Sequence, residues 1–370
     1  MITVDAGESV QGIGTPALVV DLDALERNVA RMAAFARERS LRLRPHAKTH
    51  KCAAIARLQL AAGAVGVCVQ TTGEAEALAA QGIGDIYLSN EVIDPAKLAR
   101  AAALAARVRL AIAVDSVVGV ERLAHALAAA GAAADVFVEV DVGQGRCGVP
   151  PTQAGALAHQ VVAHGLRFAG LQAYHGGAQH LHGAAERERA VAHAVALARA
   201  AQASVTAAGL ACPLVTGAGS GSFVHEAASG VYGELQPGSY VFMDRDYADN
   251  EPTPGAPAFE HALFVKCQVM SRGASHAVVD AGQKVHAVDS GPPRVWQRSA
   301  LEFVDGGDEH GILRAPRRDA LPALGETLWL LPGHCDPTVN LHDRMVAVRG
   351  GLEHGIVEAV WPVDARGCSG

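Results

Sequence analysis

Several things are missing from this chain of 370 residues, and each absence narrows its function. No uninterrupted apolar stretch approaches the roughly 20 residues that a membrane-spanning helix needs. The alanine-rich runs between 101 and 134 are broken by Arg, Asp, Glu and His, so they read as helices of a soluble protein. No basic run occurs and the net charge is −7, which argues against nucleic acid as a partner. The seven cysteines (52, 68, 147, 212, 267, 335 and 368) are scattered and form no CxxC pair, so neither a disulfide framework nor a thiolate zinc knuckle is expected. The first ten residues lack a basic n-region and an apolar h-region, so no secretory signal is expected and a cytoplasmic location follows. Lysine is rare: Lys48, Lys51, Lys97, Lys266 and Lys284 are the only five among 31 basic residues.

What is present is an alternation. Short β-branched runs are expected as strands at 17–22, 41–46, 66–70, 86–89, 108–114, 136–142, 168–174, 214–216 and 233–235. Stretches between them have helical spacing, as at 23–39, 97–106, 118–130 and 184–208. Strand–helix alternation repeated about eight times predicts a parallel sheet. An open doubly wound sheet is one solution. Candidate ligand groups at the ends of successive strands favour the other, a closed (β/α)8 barrel of the TIM type. After about residue 250 a Pro-rich linker (residues 250–257, NEPTPGAP) leads into segments that read as strands. The expected division is an α/β barrel over 16–250 and a C-terminal β domain over 251–370, joined by residues 1–15.

Lys48 stands in RPHAKTHKC (residues 44–52), just past a predicted strand, where barrel enzymes place their chemistry. A Schiff-base lysine needs a lowered pKa and a fixed position, and His46, His50 and Lys51 could supply the positive field. A solvated basic loop is the plain alternative. Other strand ends carry further groups. The segment EVDVGQGRCG (139–148) offers Arg146 as a fork for an anion or phenolate. The run GAGSGS (217–222) and the segment QPGSY (236–240) can aim backbone N–H groups at one phosphate; no Lys follows, so this is no Walker loop. In QAYHGGAQH (172–180), His175 ends a strand and could stack on an aromatic ligand, while His180 lies where a general base could reach substrate.

Near the end stands GHCDPTVNLHD (333–343). If it is extended, residues i and i+2 point the same way, so His334 and Asp336 can share one ion while Cys335 points away. That donor pair suits Mn²⁺, Co²⁺ or Mg²⁺ better than a closed zinc site. A hydrogen-bonded His–Asp pair in a turn is the competing explanation.

Taken together, residues 44–52, 139–149, 171–180, 234–244, 308–311 and 333–343 resemble the D-threonine aldolase family. That family is close to the D-3-hydroxyaspartate aldolases, is more distantly related to D-serine dehydratases, and shares the alanine racemase fold. The resemblance runs from residue 15 to 363. It implies that Lys48 carries pyridoxal 5'-phosphate (PLP) as a Schiff base, that Arg146 approaches the phenolic oxygen, and that His175 packs on the pyridine ring. It implies a cofactor site completed by Tyr174, Thr216, Gly219, Ser220, Gln236, Gly238, Ser239 and Tyr240. Gln236 replaces the Arg that racemases place near the pyridine nitrogen. His334 and Asp336 would bind a divalent metal, Mn²⁺ first and Co²⁺ or Mg²⁺ as alternatives, and His180 would take the substrate hydroxyl proton. The implied reaction is retro-aldol cleavage of a D-β-hydroxy-α-amino acid to glycine and an aldehyde. A dehydratase on the same scaffold carries His-x-Cys where this chain has His-x-Asp. A racemase would need a tyrosine base from the β domain, and a non-catalytic PLP carrier would lack that domain. A homodimer is expected by analogy, because in this fold the β domain commonly completes a neighbour's site.

Overall fold

The computed structural model describes residues 4–370; residues 1–3 of the terminal segment expected to join the β domain lie outside the described residues. After the strand β1 (Ala17–Asp21), eight strands make one parallel sheet: β2 (Arg42–Leu43), β3 (Val67–Val69), β4 (Asp85–Glu91), β5 (Arg109–Val114), β6 (Asp135–Glu139), β7 (Arg167–Ala173), β8 (Val215–Gly217) and β9 (Glu234–Leu235). Their order is β2-β9-β8-β7-β6-β5-β4-β3. The two edges meet: Val65 N–H donates to Leu43 O (2.9 Å) and Cys68 N–H to Pro45 O (2.8 Å). That seam closes the barrel, and the helices between strands cover it.

The local chemistry explains the alternation. Strands such as β3 and β6 are buried throughout, as expected for a parallel sheet covered on both faces. Helices begin where a side chain accepts an orphan N–H: Asp21 from Ala24, Thr71 from Glu74, Asp94 from Lys97 and Ser116 from Gly119. Such caps satisfy donors that the helix itself cannot.

One expected boundary is wrong. The strand expected at 17–22 was assigned to the barrel, but β1 pairs antiparallel with β10 (Leu263–Arg272) and parallel with β16 (Arg344–Arg349). It therefore belongs to the second sheet. Residues Ala17 to Val20 are all fully buried. A strand buried on both faces suits either sheet, so its pattern could not choose between them. The second sheet has nine strands. Besides β1, β10 and β16 it includes β11 (His276–Val279), β12 (Arg294–Val295), β13 (Glu302–Asp305), β14 (Gly311–Arg314), β15 (Thr327–Leu331) and β17 (Ile356–Pro362). Two short helices, Cys335–Asn340 and Gly351–His354, interrupt it.

A polar column runs through the barrel at its seam. Buried Arg44 donates from Nη1 to Asp85 (2.5 Å) and from Nε to Glu234 (3.2 Å). Glu234 accepts from Thr216 Oγ1 (2.9 Å), and Thr216 accepts from Gln236 Nε2 (2.6 Å). Gln236 and Gln172 form an amide pair, which Tyr87 OH joins at Gln172 (3.0 Å). This column sets the floor of the cavity described next. Removing one member of a buried ion pair leaves the other charge unmatched, at a cost of about 3–5 kcal/mol. Arg44→Met should lose about that much stability in equilibrium urea unfolding, whereas the exposed Arg317→Met should lose almost none.

Candidate active site

At the C-terminal ends of the barrel strands lies a cavity of about 520 Å³, within the roughly 300–1,000 Å³ range of small-molecule sites. Lys48, Arg146, Tyr174, His180, Gly219, Ser220, Gln236, Gly238 and Ser239 all line it. They come from the ends of β2, β6, β7, β8 and β9. The sequence therefore anticipated the strand ends that converge here.

Lys48 sits on a single turn, Ala47–Thr49, directly after β2. Its Nζ forms an ion pair with Asp336 from the second domain. The turn is braced from the same side: Ala53 N–H donates to Asp364 (2.7 Å), and Ala365 N–H to Lys51 O (3.1 Å). The expected positive field is overturned. His46 and His50 are neutral, because burial drives both pKa values down, that of His50 to about 4. Lys51 is paired with Glu74 (3.1 Å). Burial opposes charge on Lys48, but Asp336 and then Tyr174 outweigh it and hold its pKa above the usual value. In this state Lys48 is an ammonium that must lose its carboxylate partner before it can act as a nucleophile.

A cradle of backbone N–H groups shares the cavity with Lys48. The N–H groups of Gly219, Ser220, Gly238 and Ser239 donate to no other group among the described residues. Two of these positions require glycine. A Cβ on Gly219 would lie 2.5 Å from Gln179 Oε1, and one on Gly238 would lie 2.6 Å from Thr49 Oγ1. Gln179 completes the cradle by accepting from Gly221 N–H (3.0 Å) and donating to Ser222 Oγ (2.6 Å). Unpaired N–H groups beside small residues suit a phosphate.

Three expected side chains do not face the cavity as supposed. Consecutive residues at a strand end point opposite ways, so Tyr174 lines the cavity and His175 does not. The His175 ring turns towards Gly143 and Gly177 and accepts from Ala178 N–H (3.2 Å). Tyr240 is buried in the core with its OH on Gln59 (3.1 Å), and only its N–H is near, bonded to Ser220 Oγ (2.9 Å). Thr216 lies one layer below, spent on Glu234 and Gln236. Cys335 is buried and its N–H donates to Asp244 (2.9 Å). The extended geometry supposed for 334–336 holds only at His334, since a helix starts at Cys335.

The second domain reaches the site through Asp336, the ion-pair partner of Lys48. His334 Nδ1 is 2.6 Å from Asp289, and Asp336 keeps its Oδ1 buried without a hydrogen-bond partner. Burial would raise the Asp336 pKa, but Lys48 and His334 overcome it and hold it near 2. An imidazole fixed by a carboxylate behind it, next to an orphaned carboxylate oxygen, fits a divalent cation. His180 Nδ1 is likewise 2.6 Å from Asp246. That bond raises the His180 pKa above the ordinary imidazole value against the effect of partial burial.

Sequence reasoning missed Asp246 and Asp289, whose partners are 66 and 45 residues away. It also missed Tyr247 and the cavity-wall role of His46, which is pinned by Gln70 (2.8 Å) and Ser89 (3.3 Å). A separate cluster lies behind Arg146. Ligand atoms of Glu91, Asp115 and Cys147 fall within 4.8 Å of one another, and buried Glu139 lies 3.9 Å from Arg146. Burial, then the Glu91 carboxylate, pushes the Glu139 carboxyl well above the usual carboxylate range, which favours its protonated form.

The comparisons with known proteins follow this geometry. The family described as "Alanine racemase, N-terminal domain" matches residues 20–246, and "Putative serine dehydratase domain" matches 262–348. A D-threonine aldolase of Arthrobacter sp is 45% identical over 98% of this chain and 95% of its own length. The chain belongs to the D-threonine aldolase family. A 3-hydroxy-D-aspartate aldolase of Paracoccus denitrificans (strain Pd 1222) is 42% identical over 96% of this chain and 92% of its own. The crystal structure of D-threonine aldolase from Filomicrobium marinum superposes with a TM-score of 0.96 at 47% identity, covering 100% of both chains. As a D-threonine aldolase family member the chain is an enzyme, a carbon–carbon lyase. Among the described residues no helix is long and apolar enough to cross a membrane.

The protonated Glu139 gives a pH prediction. Its folded pKa is raised, so the native state holds a proton that the unfolded chain releases near 4.5. Stability therefore falls as pH climbs from that value through the raised one. Glu139→Gln keeps the neutral shape and should show a smaller drop in Tm between pH 6 and pH 9 than the parent protein; an equal drop would place the proton elsewhere.

Proposed function

We propose that this chain is a PLP- and divalent-metal-dependent D-threonine aldolase, cleaving D-β-hydroxy-α-amino acids to glycine and an aldehyde. The observation that carries the reading is the convergence of Lys48, the N–H cradle and His180 on one cavity, with Asp336 of the second domain paired to Lys48 and neighboured by His334. Their donor sets fit the two groups separately. The cradle and Lys48 suit a phosphate-bearing aldehyde, and the orphaned Asp336 oxygen beside His334 suits Mn²⁺, or Co²⁺ or Mg²⁺. When bound, the cofactor supplies an electron sink and the metal a Lewis acid for the substrate hydroxyl.

The residues divide the remaining work. Lys48 is the covalent attachment point. Arg146, whose guanidinium is 5.6 Å from the Tyr174 ring centre, would meet the cofactor's phenolic oxygen, and Tyr174, which lines the cavity where His175 does not, would contact its ring. Gln236 has both amide hydrogens committed to Gln172 and Thr216, so it holds position as a neutral wall. His180 removes the hydroxyl proton through Nε2, while Asp246 holds Nδ1 and sets the ring. The Paracoccus relative supports a second reading on the same chemistry, with 3-hydroxyaspartate as substrate. The proposal retains the homodimer that the resemblance implies.

Incubation with D-threonine should yield glycine and acetaldehyde, and D-serine should yield no pyruvate; pyruvate without glycine would reject cleavage in favour of dehydration. Lys48→Ala should lose the near-visible cofactor absorbance, and chelation with EDTA should abolish turnover until Mn²⁺ is restored. Asp246→Asn should lower kcat about 10²-fold, the scale of a positioned general base. Because Asp246 raises the His180 pKa, the surviving activity of that variant should have its acid limb at lower pH; an unmoved limb would assign the limb to another group.

A further inference from the structure

His180 and Asp246 come from different stretches of chain. His180 ends the single turn Gly177–His180, and Asp246 lies in the short helix Arg245–Ala248. Something must hold the two stretches in register, because a displacement of about 1 Å can cost 10²-fold in rate. The side chain between them is Arg187, on the helix Ala184–Ala207. It is only 1% exposed and has no ion-pair partner among the described residues. Burying an unpaired charge is expensive, so its hydrogen bonds are informative: both terminal nitrogens are engaged, and only Nε has no partner. Nη1 donates to Leu181 O and to His182 O (3.3 Å). Nη2 donates to Glu251 O (2.6 Å) and to Thr253 Oγ1 (3.1 Å). One rigid fork thus grips both stretches, just after His180 on one side and just after Asp246 on the other. Three weaker ties run alongside: Glu251 N–H to His182 O (2.9 Å), Ala184 N–H to Glu251 Oε2 (2.9 Å) and Asn250 Nδ2 to Gln179 O (3.1 Å).

We propose that Arg187 is a positioning residue for the reaction, a buried clamp that fixes the spacing of the His180–Asp246 pair without touching substrate or cofactor. The inference rests on the role given to His180 above. It follows from the fork geometry: the planar guanidinium spans four acceptors at fixed angles, which a flexible lysine ammonium cannot reproduce.

The test uses the cofactor- and metal-loaded protein. Arg187→Lys should lower kcat on D-threonine by about 10- to 100-fold, with KM and the cofactor absorbance unchanged. Amide hydrogen exchange over residues 177–184 should accelerate in the same variant. Thr253→Val, which removes one acceptor and no charge, should lose less in the same direction and serves if Arg187→Lys does not fold. In an Asp246→Asn background the Arg187→Lys change should cost less than about twofold, because coupled residues are not additive. A kcat loss that multiplies in full in that background, or unchanged exchange over 177–184, would overturn the clamp. Normal turnover in Asp246→Asn alone would overturn the His180–Asp246 pair and this inference with it. A slow Asp246→Asn beside a normal Arg187→Lys and a normal Thr253→Val would overturn the clamp only.

Discussion

Lys48 reaches out of the barrel and Asp336 reaches back from the second domain, and their ion pair joins the two halves of the site. The carboxylate is mostly buried and the ammonium only partly so, so the carboxylate depends more on the pairing. The ammonium holds the Asp336 carboxyl near 2, and the carboxylate keeps the amine protonated. The surrounding structure fixes where they meet. On the barrel side, closure of the β2–β3 seam sets the Lys48 turn. On the other side, Asp244 caps Cys335 N–H at the start of the helix that carries Asp336.

Residues 244–253 hold the site together across the domains. Arg245 and Asp246 N–H groups donate to Pro332 and Gly333 carbonyls (both 3.1 Å), which positions the segment leading to His334. The Asp246 side chain holds His180, and the end of the segment meets the Arg187 fork. The same ten residues therefore align a barrel loop with a loop of the second domain. Much of the cavity wall is neutral. Burial holds the His46 pKa well below its usual value, and Gln236 and Gln172 satisfy each other. The charges that remain near the reacting atoms are Lys48, Arg146, Asp246 and Asp336.

The sequence made some of this legible for definite physical reasons. Lys48 stood out because lysine is rare and because it follows a strand. The runs holding Gly219 and Gly238 stood out because small residues after a strand let several backbone N–H groups point at one anion. Short β-branched runs and helical spacing located the barrel strands and helices. The failures also have causes. Strand β1 is apolar on both faces, so nothing in its pattern assigns a sheet. Tyr174 and His175 are neighbours, and a one-residue uncertainty in where β7 ends exchanges which ring faces inward. Asp246 and Asp289 act on histidines far away in sequence, and an aspartate in a polar loop carries no mark of such a partner. The Lys48 field was misjudged because burial had already neutralised His46 and His50, and burial of a loop cannot be read from its composition.

The central claim is that one carboxylate, Asp336, answers either to Lys48 or to a cation. A cofactor held covalently at Lys48 would replace the free ammonium with an imine nitrogen directed at the cofactor, which would leave that carboxylate free for a cation. Calorimetric titration of Mn²⁺ into the protein with and without bound PLP tests this directly. The account predicts binding at least about tenfold tighter in the PLP-loaded protein, about 1.4 kcal/mol; equal affinity in the two forms would contradict it.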